Sequence, residues 1–184
     1  MKKEELRITN KAKRKEMKSC EVEEKSKSAA EIFLNSDIYK NANVVMLYYP
    51  LGNETDTLYI FQRALIDNKT VVFPVTDIVT SEMTPVLADN NTQFLKGAYS
   101  VYEPDNKKLY NEKIDLVIVP GIAFDKRGFR VGFGKGCYDR FLEKTNTIKV
   151  GFCYDFQITD NIENDIFDIK MNYLVSESGM IDCE

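Results

Sequence analysis

A chain of 184 residues with 43% hydrophobic content is long enough to bury one core and is expected to form a single domain over residues 1–184. It has no histidine and four scattered cysteines without a CxxC pair, which excludes Ser-His-Asp and Cys-His nucleophilic sites and indicates neither a zinc site nor a disulfide framework; any metal should be a hard, oxygen-bound ion. The net charge of -4 is uneven, with eight Lys or Arg against three Glu in residues 1–18.

That basic N-terminus has no aromatic residue for base stacking, and the acidic remainder would repel a polyanion, so no nucleic-acid partner is expected. It also lacks the apolar core of a secretory signal, and no apolar run reaches the roughly 18 residues of a membrane span. The expected location is cytoplasmic, with no membrane partner. Residues 2–34 contain no Gly or Pro and are rich in helix formers, which predicts two helices with a break around Ser19 to Val22.

"NVVMLYYP" (Asn43 to Pro50) reads as a buried strand stopped by proline. "TDTLYIFQRALIDNK" follows as a helix capped by Thr55 or Asp56, with Leu58, Phe61, Leu65 and Ile66 on one face. "TVVFP" (Thr70 to Pro74) is the next strand, so residues 43–74 spell a βαβ unit and imply a parallel sheet. Between Val75 and Tyr110 the pattern weakens, and only an edge strand or hairpin is expected. "IDLVIVP" (Ile114 to Pro120) is a third buried strand, "CYDRFLEKT" a helix with Tyr138, Phe141 and Leu142 on one side, and "TIKVGFCY" (Thr147 to Tyr154) a fourth strand; "MNYLVSE" supplies a fifth. The fold class is α/β, a three-layer α/β/α sandwich around a mainly parallel sheet, with the N-terminal helices packed on it.

Four of the nine glycines (Gly128, Gly132, Gly134 and Gly136) fall in "DKRGFRVGFGKGCYDRF", just beyond the carboxyl end of the third strand, where ligands gather in open α/β sheets. Glycine at 132, 134 and 136 permits positive φ and lets successive N–H groups turn toward an anion. The next helix adds its positive end, Arg130 and Lys135 add full charges, and Asp139 offers a carboxylate to a magnesium ion bridging phosphates. A solvated turn is the bland alternative, but Arg127, Arg130, Lys135 and Arg140 put four cations in fourteen residues, after a buried strand. Walker A is excluded, because Phe129 stands five residues before Gly134 and Gly136 follows Lys135. A Rossmann turn is excluded by the dozen residues between Pro120 and Gly132.

"VPGIAFDKRGFRVGFGKGCYDRFL" (Val119 to Leu142) closely resembles the signature of the 5-formyltetrahydrofolate cyclo-ligase family. "KKEELR", "LYYPLGNETDT", "VVFP", "YEP" at residues 102–104 and "FDIKMNYLVSE" fall in the family's order, so the similarity spans nearly the whole chain. The resemblance implies ATP- and Mg2+-dependent closure of 5-formyltetrahydrofolate to 5,10-methenyltetrahydrofolate with release of ADP and phosphate. It further implies that ATP phosphorylates the formyl oxygen before N10 attacks, leaving the protein to position groups and neutralise charge.

Carried over by motif, Lys3 and Arg7 match the basic pair that contacts ATP phosphates, and Arg130, Val131, Gly132, Phe133, Gly134, Lys135, Gly136, Cys137 and Tyr138 match the ATP-binding loop. Within it, Phe133 to Cys137 also line the folate side, and the catalytic roles fall to Arg130 and Lys135. Tyr49 and Glu54 match substrate-contacting positions. Asp139 and Asp168 match the magnesium positions, Asp168 being chosen over Glu163 and Asp165 by its distance to "YLVSE". The sequence departs from the family at Cys137, where tyrosine is common, and at Phe167, where many members have histidine. The expected partners are reduced folate and ATP, and the expected state is a monomer. Two rivals remain on sequence grounds: a sugar-phosphate isomerase or CoA-transferase relative, and a non-catalytic nucleotide-binding regulator.

Overall fold

The computed structural model describes residues 2–106 and 108–183, so Met1, Lys107 and Glu184 of the expected 1–184 domain lie outside the described residues. Two helices open the chain, α1 (Lys3–Glu16) and α2 (Ser19–Asn35). They part at Met17 and Lys18, both extended, a little before the expected break. A short α3 (Asp37–Asn41) follows, its first turn capped by the Ser36 hydroxyl, which accepts the Tyr39 N–H at 3.4 Å.

β1 (Val44–Met46), α4 (Leu58–Ile66) and β2 (Thr70–Thr76) form the expected βαβ unit, with β1 and β2 parallel and Val45 opposite Val71. Asp56, one of the two expected caps, accepts the Leu58 N–H at 2.7 Å. The buried stripe of α4 is centred on Ile60 and Ala64, not on the face expected from Leu58 and Ile66. Six residues past Ile60, Ile66 is rotated about 120° off that stripe and is 74% exposed.

The weakly patterned region is richer than expected. β3 (Met83–Ala88) pairs antiparallel with β2 along its whole length, and β4 (Phe94–Lys96) and β5 (Tyr102–Pro104) make a separate hairpin. β6 (Leu116–Val119) is the third buried strand, fully inaccessible at all four positions. Within the glycine-bearing stretch, β7 (Ala123–Asp125) and β8 (Arg130–Val131) fold back on each other before α5 (Cys137–Glu143). β9 (Ile148–Phe152), β10 (Ile158–Thr159), β11 (Tyr173–Ser176) and β12 (Gly179–Asp182) complete the chain.

The main sheet runs β12-β11-β9-β6-β1-β2-β3. The five central strands are parallel and the two outer ones antiparallel. Alternation sends Val45, Val71, Leu116, Ile118 and Val150 to a core under α2 and α4, and Met46, Val72, Val117 and Val119 to a core capped by Phe124 and by Leu142 of α5. These are the three expected layers. Of the two N-terminal helices, however, only α2 packs on the main sheet. α1 lies on the small sheet β10-β7-β8, where Leu6 meets Ala123, Val131 and Ile162. Its inner face carries Asn10 and Arg14, which need acceptors that an apolar sheet face cannot supply. The Asn10 amide donates to Ile122 O at 3.0 Å.

The chain leaves β1 toward β2 on one side of the sheet, and later strands leave β6 toward β9 on the other. The carboxyl ends of β1 and β6 therefore flank a topological switch point, the crevice where such sheets bind ligands.

Candidate active site

A cavity of about 730 Å³ opens at that crevice. Every residue expected to act at the site lines it: Lys3 and Arg7 from α1, Tyr49 and Glu54 from beyond β1, Arg130 to Asp139 from β8 through the start of α5, and Asp168 from the loop before β11. Tyr99, Tyr102 and Glu103, from the segment without a clear sequence pattern, complete one wall.

Part of the lining is charged. Lys3 Nζ lies 2.6 Å from Asp168 Oδ2 and 3.2 Å from Asp165 Oδ2. Burial works against the Lys3 charge, but the hydrogen bonds to Asp168 and Asp165 outweigh it and raise the ammonium above its ordinary pKa. Arg130, only 7% exposed, places Nη2 3.0 Å from Asp139 Oδ1. The Ile169 N–H donates to the same oxygen at 3.3 Å, which brings the Asp168 loop against the start of α5. Of the acidic run, Glu163 does not line the cavity, whereas Asp165 and Asp168 both do.

The glycine loop is built by two conformational requirements and one spatial one. Gly134 and Gly136 adopt φ of +94° and +66°, as the sequence predicts. Gly132 does not adopt a positive φ; instead nothing lies within 4 Å of where its Cβ would stand. Its carbonyl accepts the Arg7 Nε–H at 3.0 Å, so the N-terminal helix and the loop are joined at this residue. Lys135 is exposed, its ammonium 5.6 Å from the Tyr99 ring. Arg140 donates to Lys135 O at 2.9 Å and to Ser81 O at 3.2 Å, tying the loop to the β2–β3 turn. Val131 is buried with Leu6 and holds the loop through its carbonyl, which accepts the Ile122 N–H at 2.7 Å. α5 spans only seven residues, so the charge at its start is smaller than the longer expected helix would give.

Tyr138 projects its hydroxyl into a buried position without a hydrogen-bond partner, and burial pushes that phenol well up from its usual range. Cys137 is half-buried in the lining and Phe133 is 47% exposed, with Lys11 Nζ 5.2 Å from its ring. Another part of the lining is aromatic. Tyr49 packs against Phe94 at 5.0 Å and Tyr102 at 5.1 Å between ring centroids. Beneath it, Glu54 is 5% exposed; its Oε2 accepts the Leu51 N–H at 2.9 Å and its Oε1 faces Arg14 at 3.5 Å. Desolvation raises the Glu54 carboxyl pKa, with Arg14 opposing.

Asp125 escaped the sequence reading, and Arg127, counted there among the cations of the anion-binding stretch, does not line the cavity. Asp125, fully buried, receives the N–H groups of Arg127, Phe129 and Ile162. Arg127 pairs with it at 2.7 Å and donates to Ile162 O at 2.8 Å, fastening the β7–β8 turn to the acidic loop. The Asp-x-Arg spacing before Gly128 was the available signal.

The chain is similar to several known proteins. The Haemophilus influenzae 5-formyltetrahydrofolate cyclo-ligase is 26% identical over 178 residues, covering 92% of this chain and 95% of its own. The Mycoplasma genitalium protein of the same name is 31% identical over 131 residues, 70% of this chain and 69% of its own. The solved Aquifex aeolicus 5,10-methenyltetrahydrofolate synthetase superposes with a TM-score of 0.85 at 29% identity, covering 99% of this chain and 93% of that one. The Mycoplasma pneumoniae synthetase, at 23% identity and a TM-score of 0.75 over 96% of this chain and 99% of its own, shares the fold. The family model for the 5-formyltetrahydrofolate cyclo-ligase family matches residues 1–177, and the chain belongs to that family.

Proposed function

We propose that this chain closes 5-formyltetrahydrofolate to 5,10-methenyltetrahydrofolate at the expense of ATP, and that the cavity at the switch point holds both substrates. The observation that carries the reading is the mixed lining of that cavity: four cations from two separate segments, Lys3, Arg7, Arg130 and Lys135, stand with the rings of Tyr49 and Tyr102 and the carboxyl of Glu54. The cations suit a triphosphate, and the rings with Glu54 suit a reduced pterin. A sugar-phosphate isomerase would leave the aromatic rings unused.

In this reading Lys3 and Arg7 grip the phosphates of ATP, aided by the loop N–H groups around Gly134 and Gly136. Tyr49 stacks on the pterin and Glu54 accepts from its donor nitrogens. The formyl oxygen attacks the γ-phosphorus, the bond from that phosphorus to the ADP oxygen breaks, and Arg130 and Lys135 offset the charge spreading over the transferred group. N10 then attacks the formyl carbon and loses its proton, and phosphate departs carrying the former formyl oxygen. Holding N10 against the formyl carbon is the protein's main contribution to this second step.

The residues fit a magnesium ion. Asp139 and Asp168 present hard oxygen donors beside the phosphate-binding cations, and magnesium is commonly held by one or two carboxylates together with substrate phosphates. Among the described residues no cluster of three or more His, Cys, Asp or Glu competes as a self-contained cage. When bound, the ion supplies charge neutralisation on the phosphates. No described helix is long and apolar enough to cross a membrane.

The test is direct. Purified protein is mixed with 5-formyltetrahydrofolate, ATP and magnesium, and growth of the methenyl chromophore is followed, with each component omitted in turn. Growth should require all three; folded protein that gives none would refute the reading.

A further inference from the structure

Arg14 lies on the same face of α1 as Lys3 and Arg7, seven residues beyond Arg7, but does a different job. It is 8% exposed and does not line the cavity, so it can reach a ligand only through another side chain. Its guanidinium carbon is 5.9 Å from the Phe133 ring of the lining, and its charge partner there is Glu54. Arg14 Nη1 stands 3.5 Å from Glu54 Oε1 and 3.5 Å from the Gly121 carbonyl at the exit of β6. The carbonyl of Arg14 accepts the Asn53 amide at 2.7 Å, and Asn53 also donates to Met17 O at 3.0 Å, so the loop carrying Glu54 is fastened to the end of α1 beside the ion pair.

Glu54 needs such a neighbour. A carboxylate this buried is strongly disfavoured unless a counter-charge stands beside it. Yet the pair is loose: Oε2 is taken by the Leu51 N–H, while among the described residues Oε1 has only the Arg14 guanidinium at 3.5 Å and no well-formed hydrogen bond. The Tyr138 hydroxyl, also within the lining, is the second buried polar atom there without a partner. Two unsatisfied groups on the floor of one cavity are unusual in a native interior and mark places where a ligand completes the bonding.

We propose that Arg14 is a positioning residue for the pterin subsite, holding the Glu54 carboxylate ionised and oriented so that Oε1, with the Tyr138 hydroxyl, meets the polar edge of the reduced folate. The proposal rests on the assignment of that part of the cavity to folate. It makes Arg14, unlike the other two cations on its helix face, a determinant of folate affinity and not of ATP affinity. A lysine could keep the charge but would lose the planar reach that spans Glu54 and Gly121 O together.

The test measures KM for 5-formyltetrahydrofolate and for ATP in the wild type, Arg14→Lys, Arg14→Met, Glu54→Gln and the Arg14→Met/Glu54→Gln double variant. Arg14→Met should raise the folate KM by about tenfold or more, as expected when one partner of a buried charge pair is truncated, and leave the ATP KM within about twofold. Arg14→Lys should recover part of the loss. The double variant should be no worse for folate than Glu54→Gln alone, because Arg14 acts through Glu54. Equal rises in both KM values, or additive losses in the double variant, would overturn the proposal. If Arg14→Met does not fold, the double variant, which buries no unpaired carboxylate, still makes the comparison with Glu54→Gln. Wild-type protein that turns over no folate sinks the folate assignment itself; normal wild-type turnover with an unaffected folate KM in the Arg14 variants sinks only the role of Arg14.

Discussion

Arg130 and Asp139 face each other at 3.0 Å, a cation assigned to phosphate paired with a carboxylate assigned to metal. Lys3 and Asp168 repeat the arrangement at 2.6 Å. In the proposed reading each pair would be a reciprocal placeholder: a magnesium-phosphate unit would offer the cation an anion and the carboxylate a cation, so that binding would exchange partners without leaving a buried charge alone. Asp139→Asn should lower Tm, because it leaves the buried Arg130 facing a neutral amide, and raise the magnesium concentration for half-maximal rate by at least about tenfold, the loss seen even for outer-shell partners. A magnesium titration at saturating ATP checks this, and an unchanged midpoint would argue against ligation by Asp139.

Lys135 makes no ion pair among the described residues and stands exposed in the loop, so its removal should cost little stability. Lys135→Ala is expected to lower kcat by about a hundredfold or more, the scale for deleting one donor that neutralises transition-state charge. Thermal melting followed by circular dichroism should be unchanged, and retained turnover would contradict the assignment.

Two glycines in the same stretch should respond in opposite ways to alanine. A Cβ on Gly128 would come 2.4 Å from the Met171 carbonyl, at a φ of +92°, so Gly128→Ala should lower Tm. A Cβ on Gly132 would meet nothing within 4 Å. Gly132→Ala should keep its Tm and lose affinity for ATP or folate, because the space it fills belongs to a substrate. Differential scanning calorimetry alongside KM measurements separates the two effects.

Acidity should act on binding before it acts on folding. Desolvation, only partly opposed by Arg14, raises the Glu54 pKa above the usual carboxylate range. As pH falls through that raised value the carboxylate gains a proton and ceases to accept from the pterin, so the folate KM should rise at a higher pH than an ordinary glutamate would give. The linkage to stability has the other sign. Because the folded state favours the protonated form, the contribution of this group to stability is full below the unfolded pKa and declines as pH rises through the folded one. The Glu54→Gln variant should lose the pH dependence of the folate KM, and its persistence would assign the titration elsewhere.

The five parallel strands were legible because each is an apolar run buried on both faces, as in "LVIV" of β6, and such runs need no partner to be recognised. β12 was not, and β3 only as an unplaced edge strand, because outer strands such as "GMID" and "MTPVLA" mix apolar and polar residues. The β7–β8 fold-back was hidden by the motif that contains it: its glycines and charges drew attention to ligands, while Asp125 and Arg127 were shaping a turn. All of the positions carried over by resemblance line the one cavity. Arg14 was missed because it never reaches the surface of the cavity, although Lys3, Arg7, Asn10 and Arg14 recur at helical spacing and announce one polar stripe turned inward.

The docking of α1 has a kinetic consequence. Lys3 meets Asp168 across 165 positions of sequence, and Asn10 meets Ile122 across 112, so the helix that opens the chain can be seated only after late segments have arrived. Loop closure over such spans is entropically costly and slows the step that makes it. On dilution from denaturant, ellipticity should return first and turnover last, with catalysis reporting the seating of a helix formed long before.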